Sequence, residues 1–240
     1  MRLATFNCRH GAPDRPGLGA QFADGAGFAA SVRALDADVL ALQEIDRRVA
    51  RSWWRDQPAQ AALAGGASTV HFSAARRVLV TGHDGVALVV RGVTRSARTL
   101  RLPGRGAARV AALATVSVGG TELTVASTHL QSRSGGAPGE AEVQLDALLV
   151  ELARWPRPWV LAGDLNLRPE AVLPRLDDAG LEPLRSGATF PSGAPRIEID
   201  WLAVSGFAVV APVPGGPPVR TVRLPVGDHR ALVADVEVTP

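Results

Sequence analysis

The sequence has no lysine and no tyrosine, so all 26 of its Lys+Arg residues are arginines. That absence explains an isoelectric point near 10.6 on a formal charge of only +3, because little besides Cys8 and the α-amino group titrates between histidine and arginine. The high value is therefore poor evidence for a nucleic-acid partner, and no run of about five or six like charges marks a basic tail. The single cysteine, Cys8, excludes an internal disulfide and a multi-thiolate metal site, and it fits a reducing compartment. Long apolar runs are also missing. The longest, Val110 to Val118, is interrupted by Thr115 and Ser117 and falls well short of the roughly 18 residues of a membrane span. The N-terminus reaches Asn7 too early for the apolar core of a signal peptide. These absences predict a soluble, cytoplasmic protein. Heavy use of Ala, Arg, Gly and Pro fits GC-rich bacterial coding.

In bulk the chain is ordinary. With 46% hydrophobic and 20% charged residues in 240, it lies outside the collagen-like, disordered and coiled-coil ranges. A globule of this length buries about 70 to 75% of its unfolded surface, so one core is enough to hold it together. No repeat of about 20 to 50 residues occurs. The Gly/Pro-rich stretches His10 to Gly27, Gln131 to Gly139 and Ala211 to Arg220 are too short for interdomain linkers and read as surface loops. One domain over residues 1–240 is the economical description.

Short β-like runs recur throughout: Leu3 to Asn7, Val39 to Glu44, Val86 to Val90, Arg109 to Val118, Leu123 to His129, Trp159 to Asp164, Ile197 to Val204 and Ala231 to Val238. Between them, Leu145, Leu148, Leu149 and Leu152 repeat at helical spacing and predict a helix over Glu140 to Ala153. Phe22 to Leu35 and Pro169 to Ala179 are weaker helices, the second opening with a proline suited to a first turn. Many strands and few helices predict an α/β fold.

The informative feature is what ends these runs. Asn7, Glu44, His129 and Asp164 each close an apolar run, Asp200 sits within Ile-Glu-Ile-Asp-Trp-Leu, and Asp228-His229 precedes the final strand. Each can bind a metal or move a proton, and strand ends gathered at one sheet edge would form a cleft. Asp164 and Asn166 stand at i and i+2, so on an extended chain they face one locus. Gly-Asp-x-Asn taken alone also describes a turn. Glu44 follows a run of buried-strand character, where an unpartnered carboxylate is costly; it is either a solvated strand end or a ligand of a hard cation such as Mg²⁺. His229 has Asp228 beside it and Asp200 as a second possible partner, and a carboxylate-paired imidazole is a common general acid or base. His10, His71 and His83 lie in polar or loop-like contexts and receive no role. Cys8 reads as a small buried hydrophobe, and Trp53-Trp54 as core or interface packing, with an aromatic binding surface as the alternative.

The order of these motifs is more specific than any one of them. Leu3-Ala4-Thr5-Phe6-Asn7, Leu42-Gln43-Glu44-Ile45-Asp46, Ser127-Thr128-His129-Leu130, Ala162-Gly163-Asp164-Leu165-Asn166, Ile199-Asp200-Trp201-Leu202 and Gly227-Asp228-His229-Arg230-Ala231 together resemble the endonuclease/exonuclease/phosphatase superfamily. The resemblance spans residues 3 to 238. It implies a four-layer α/β/β/α sandwich of two mixed sheets flanked by helices, and a phosphoester substrate hydrolysed with Mg²⁺ or Mn²⁺. It implies Glu44 as main metal ligand with Asn7 beside it, Asp164 orienting or deprotonating water, and Asn166 holding that water or a phosphoryl oxygen. It further implies His229, held by Asp200, as base or electrostatic clamp, Asp228 completing the metal or histidine environment, and His129 contacting the phosphate or assisting the leaving group. Arg133, Arg168, Arg196 and Arg230 lie near motifs and are candidates to clamp a phosphate. Val86 and Val90-Arg91 stand where members often carry polar residues, which leaves the partner of His129 open, and Gly227 stands where Ser is common. Thr189-Phe190-Pro191-Ser192 is expected to wall the cleft.

A diester is favoured over a monoester. Nucleic acid, a lipid headgroup, an inositol phosphate or another small diester all remain open as substrate. A noncatalytic binder should lack an equivalent of Glu44, Asp164 or His229, and none is lacking. A two-carboxylate glycosidase would leave Asn7, Asn166 and His229 unexplained.

Overall fold

The structure, a computed structural model, describes residues 1–14, 21–79, 81–210 and 217–239. In chain order the elements are β1 (Arg2–Asn7), α1 (Gly25–Leu35), β2 (Val39–Arg47), α2 (Gln57–Gly65), β3 (Thr69–Val78), β4 (Gly82–Val90), β5 (Val93–Arg101), β6 (Val110–Val118), β7 (Thr121–His129), α3 (Glu140–Leu152), β8 (Trp159–Asp164), α4 (Pro169–Asp178), β9 (Glu182–Leu184), β10 (Asp200–Ser205), β11 (Phe207–Val209), β12 (Val219–Val222) and β13 (Ala231–Val238).

They form two mixed sheets. One runs β11-β13-β1-β2-β4-β3, with β12 also on β13, and the other runs β5-β6-β7-β8-β10-β9. Within them β1 and β2 are parallel, as are β7 and β8. The central strands bury both faces, which is why they read as continuous apolar runs. Leu3, Val39, Ala41, Val86 and Leu88 of the first sheet meet Ala112, Ala114, Val125, Val160 and Leu202 of the second in an inter-sheet core. The alternate residues Ala4, Phe6, Leu40 and Leu42 pack outward against Phe28, Val32 and Leu35 of α1 and Ala61 of α2. On the far side Leu113, Leu161 and Trp201 meet Leu145, Leu148 and Leu152 of α3 and Val172 and Leu176 of α4. The result is the expected four-layer α/β/β/α sandwich.

Local chemistry sets several boundaries. α1 begins at Gly25 rather than Phe22, because the Asp24 carboxylate caps it by accepting from the amides of Ala26 and Gly27 at 3.1 and 3.0 Å. β10 begins at Asp200 rather than Ile197, since Ile197 instead bridges to Phe190. The predicted loops over His10 to Gly27 and Ala211 to Arg220 extend partly outside the described residues, and Val219-Arg220 belongs to β12. Trp53 and Trp54 are 54% and 64% exposed, so they are not core. Trp53 stacks on Phe22 at 5.2 Å between ring centroids, and its indole N–H donates to the Ala23 carbonyl. Among the described residues no helix is long and apolar enough to cross a membrane.

Candidate active site

Glu44 reaches the cleft through a backbone irregularity. The β2–β4 register slips between Gln43 and Ile45, and Glu44 occupies the bulge with φ of 52°. Gln43 and Ile45 stay fully buried while the bulged carboxylate is half-buried. A bulge re-aims one side chain without disturbing its neighbours. Asn7, at the end of the adjoining β1, is buried and donates from Nδ2 to Glu44 Oε1 at 3.2 Å and to Asp164 Oδ2 at 3.0 Å. Its Oδ1 accepts from the Arg9 amide at 3.2 Å. Asn7 thus ties the bulge of one sheet to a strand end of the other.

The second sheet supplies three groups at one level, because His129 of β7 and Asp200 of β10 are both register partners of Asp164 on β8. Gly163 permits the close pairing, since a Cβ there would sit 2.1 Å from the Thr128 carbonyl oxygen. Asp164 Oδ1 accepts from the Asn166 amide at 2.9 Å, and Asn166, at φ 52°, donates from Nδ2 to the Leu130 carbonyl at 3.1 Å. Asn166 also lines the hollow bounded by Gln131 and Arg133. His229, in the turn before β13, donates or accepts through Nδ1 to Asp200 Oδ2 at 2.8 Å and brings Nε2 to 3.8 Å from Asp164 Oδ2. Thr189 Oγ1 donates to the same Asp200 oxygen at 2.5 Å, and the Phe190 ring lies 4.7 Å from the imidazole. The expected wall of the cleft is therefore also a support for the Asp200–His229 pair.

Burial and charge separate the roles of these groups. Burial, reinforced by the charge of Asp200, raises the Asp164 carboxyl from 3.8 to about 7. For His229 burial is the largest influence and favours the neutral ring, but Asp200, Asp164 and Asp228 together outweigh it and raise its pKa from 6.5 to about 10. With Asp200 as acceptor, Nδ1 is then a donor. Burial and the nearby Arg109 hold His129 well below 6.5, so its ring is neutral. His129 Nε2 lies 3.6 Å from Asp164 Oδ2, the nearest carboxylate to it among the described residues, while Val86 is buried in the inter-sheet core. The site therefore sets a near-neutral carboxyl between an imidazolium and a neutral imidazole.

Two arrangements suit a cation. Asp164, Asp200 and His229 bring ligand atoms within 4.8 Å of one another, a group that could hold a metal ion. His229 is itself a cation there, hydrogen-bonded to Asp200. Glu44 differs: among the described residues no arginine lies within 4.0 Å of it, and it faces the cleft beside the Asn7 amide. Hard divalent ions take such oxygen donors together with waters. The Asp228 carboxylate faces Arg9 Nε at 3.8 Å rather than Glu44.

The four predicted phosphate clamps are peripheral. Arg133 and Arg168 are exposed, Arg133 bordering a hollow shared with Asn166 and Arg168 preceding α4. Arg196 is exposed, and Arg230 is half-buried with Nε donating to the Ser192 carbonyl at 2.9 Å. The cations that line the cleft with Glu44 and His129 are instead Arg51, Arg76 and Arg109, with Asp84 among them. Sequence reasoning missed them because arginines were weighed only where they adjoin the motifs, whereas Arg109 stands at the head of an apolar strand that carries none.

Residues 4–229 match the sequence profile of the Endonuclease/Exonuclease/phosphatase family. The chain belongs to this family. Its members act on phosphoester bonds and generally use divalent metals. Solved structures agree in fold. An endonuclease/exonuclease/phosphatase from Beutenbergia cavernae superposes with a TM-score of 0.77 at 24% identity, over 99% of this chain and 71% of that one. The human nocturnin catalytic domain with a bound sulfate anion gives 0.71 at 20% identity, over 100% and 93%. Sphingomyelinase C from Streptomyces griseocarneus gives 0.64 at 18%, over 97% and 98%. No curated protein matches the sequence.

Proposed function

We propose that this family member hydrolyses a phosphodiester with a divalent cation, Mg²⁺ or Mn²⁺. The observation that carries the reading is the pairing of a near-neutral buried carboxyl, Asp164, with the imidazolium of His229, next to a half-buried carboxylate at Glu44 that has no arginine within 4.0 Å among the described residues. Glu44 and Asn7 would hold the cation, which when bound neutralises charge on a phosphoryl oxygen as a Lewis acid. Asp228 is assigned to His229, whose positive form its charge favours.

Asp164 is the group to take the proton from water, since a base works best when its pKa lies near the working pH. Asn166, its Nδ2 donating to the Leu130 carbonyl, would accept from that water through Oδ1 and aim the water oxygen at phosphorus. As the new P–O bond forms, the ester P–O bond breaks and the leaving oxygen departs with the electron pair. His229 stays protonated and acts as an electrostatic clamp on the negative charge gathering on the phosphoryl oxygens, rather than as the base. His129, neutral and on the other side of Asp164, offers a hydrogen bond to the phosphate or to the leaving oxygen. Proton transfer of this kind typically contributes about 10²- to 10⁴-fold.

The test is turnover of bis(p-nitrophenyl) phosphate against p-nitrophenyl phosphate, with Mg²⁺, with Mn²⁺ and after EDTA. Diester cleavage that needs metal is expected. Cleavage of the monoester alone, or cleavage untouched by EDTA, would overturn the reading. A panel of oligonucleotide, lysophospholipid headgroup and inositol-phosphate esters then selects among substrates.

A further inference from the structure

Of the three arginines that line the cleft, Arg109 alone has no carboxylate within 4.0 Å among the described residues. Arg51 pairs with Asp46 at 2.8 Å and with Asp84 at 3.4 Å, and Arg76 pairs with Asp84 at 2.7 Å, so those two are already matched. Arg109 is half-buried, and among the described residues no carboxylate lies within 4.0 Å of its guanidinium. Its hydrogen bond goes from Nε to the neutral Gln131 Oε1 at 3.3 Å. Burial lowers the Arg109 pKa, while the more distant carboxylates Asp164, Glu44 and Asp84 act the other way without contacting it. Its two terminal nitrogens make no hydrogen bond among the described residues.

The guanidinium is also held in place. Gln131, itself buried, is fixed by its backbone amide donating to Gln144 Oε1 at 2.8 Å, and Gln144 Nε2 donates to the Pro103 carbonyl at 2.9 Å. A chain of buried amides from α3 therefore orients Arg109 into a cavity of about 170 Å³ that it shares with Glu44 and His129. A planar guanidinium with two free N–H groups is matched by a phosphate, which it can grip bidentately.

We propose that Arg109 binds a second anionic phosphate of the substrate, one that is not cleaved, beside the phosphodiester held at Glu44 and Asp164. The inference rests on the phosphodiesterase reading and narrows it to substrates carrying two phosphates. These are either a polynucleotide chain or a small diester with a separate phosphomonoester. Gln131 and Gln144 are positioning residues that act through Arg109.

The test compares two p-nitrophenyl esters of thymidine 5′-phosphate that differ only in a 3′-phosphate. Wild type should prefer the 3′-phosphorylated ester, and Arg109→Gln should reduce that preference in kcat/KM by about 10- to 100-fold, the weight of a bidentate charged contact. A third ester, in which the 3′-phosphate is the internal diester of a dinucleotide, separates the two sources. A preference kept there points to a chain, and one lost there to a terminal phosphomonoester. No preference in wild type, or equal loss on all esters in the variant, overturns the proposal. A readout without catalysis separates it from the underlying reading: calorimetric binding of inorganic pyrophosphate to metal-stripped protein should weaken at least about 10-fold in Arg109→Gln and in Gln131→Leu. If pyrophosphate binds through Arg109 but no ester is turned over, the phosphodiesterase reading fails while the anion site stands. If the diesters turn over while Arg109→Gln changes neither binding nor preference, the anion site fails.

Discussion

Replacing Asp200 with Asn should bring the titration of His229 down to near neutral pH. The imidazole is buried, and burial alone would favour the neutral ring, yet its pKa stands at about 10 because of Asp200, Asp164 and Asp228. At about 1.4 kcal/mol per unit, the rise from 6.5 to about 10 favours the imidazolium by about 5 kcal/mol. Asp200 touches the ring directly at 2.8 Å and is the strongest of the carboxylates that favour the imidazolium. Breaking one partner of a buried pair costs about 3 to 5 kcal/mol, equivalent to about 2 to 4 units, so His229 in the variant should titrate between about 6 and 8. The stability consequence has a definite sign. Since the folded-state pKa lies above the unfolded value, the pair stabilises fully below about pH 6.5, and that stabilisation disappears as pH rises through about 10. The gap between wild type and Asp200→Asn in urea unfolding should be widest near pH 6 and close towards pH 10. The assay is NMR titration of the His229 ring in metal-free protein, assigned with His229→Gln. A wild-type His229 that titrates near 6.5, or one that does not shift in Asp200→Asn, would refute the reasoning.

Three further outcomes follow from the same geometry. Asp164 has its pKa raised from 3.8 to about 7, so the folded state binds its proton more tightly than the unfolded chain and loses stability as pH rises from about 4 to about 7. Metal-free Asp164→Asn should therefore gain in melting temperature over wild type at pH 8 but not at pH 4. Gly163→Ala forces a Cβ to 2.1 Å from the Thr128 carbonyl oxygen and should cost about 1 to 3 kcal/mol, seen as a melting temperature lower by about 2 to 12 °C. Burial pushes the Cys8 thiol far above its usual range, so a thiol-specific disulfide reagent should leave it untouched in the native protein and label it after denaturation; prompt native labelling would contradict its burial.

What the sequence revealed follows the sheet order. The two-sided strands β1, β2, β4, β6, β7, β8, β10 and β13 announce themselves as apolar runs because helices or the opposing sheet cover both faces. The edge strands β3, β5, β9 and β11, and β12, do not. Val93–Arg101, for instance, reads Val-Thr-Arg-Ser-Ala-Arg-Thr-Leu-Arg and is largely exposed, so pairing with β6 rather than hydrophobic pattern makes it a strand. α2 escaped notice for a similar reason: it is built on alanines, with Asp56 as cap and Gly66 as stop. At the site, residues that end buried strands were legible, and Asn7, Glu44, His129, Asp164 and Asp200 do converge. The bulge that turns Glu44 outward was not, because it depends on pairing with β4. Nor were Thr189 as a support for Asp200, or Arg109, whose meaning lies in the absence of a carboxylate beside it.

The most direct test of the account is kcat/KM for bis(p-nitrophenyl) phosphate with Mn²⁺ in wild type and His229→Ala. An imidazolium clamp predicts a loss of at least about 10²-fold, with metal dependence retained. Turnover indifferent to His229 would contradict the central claim that this cleft is the catalytic site.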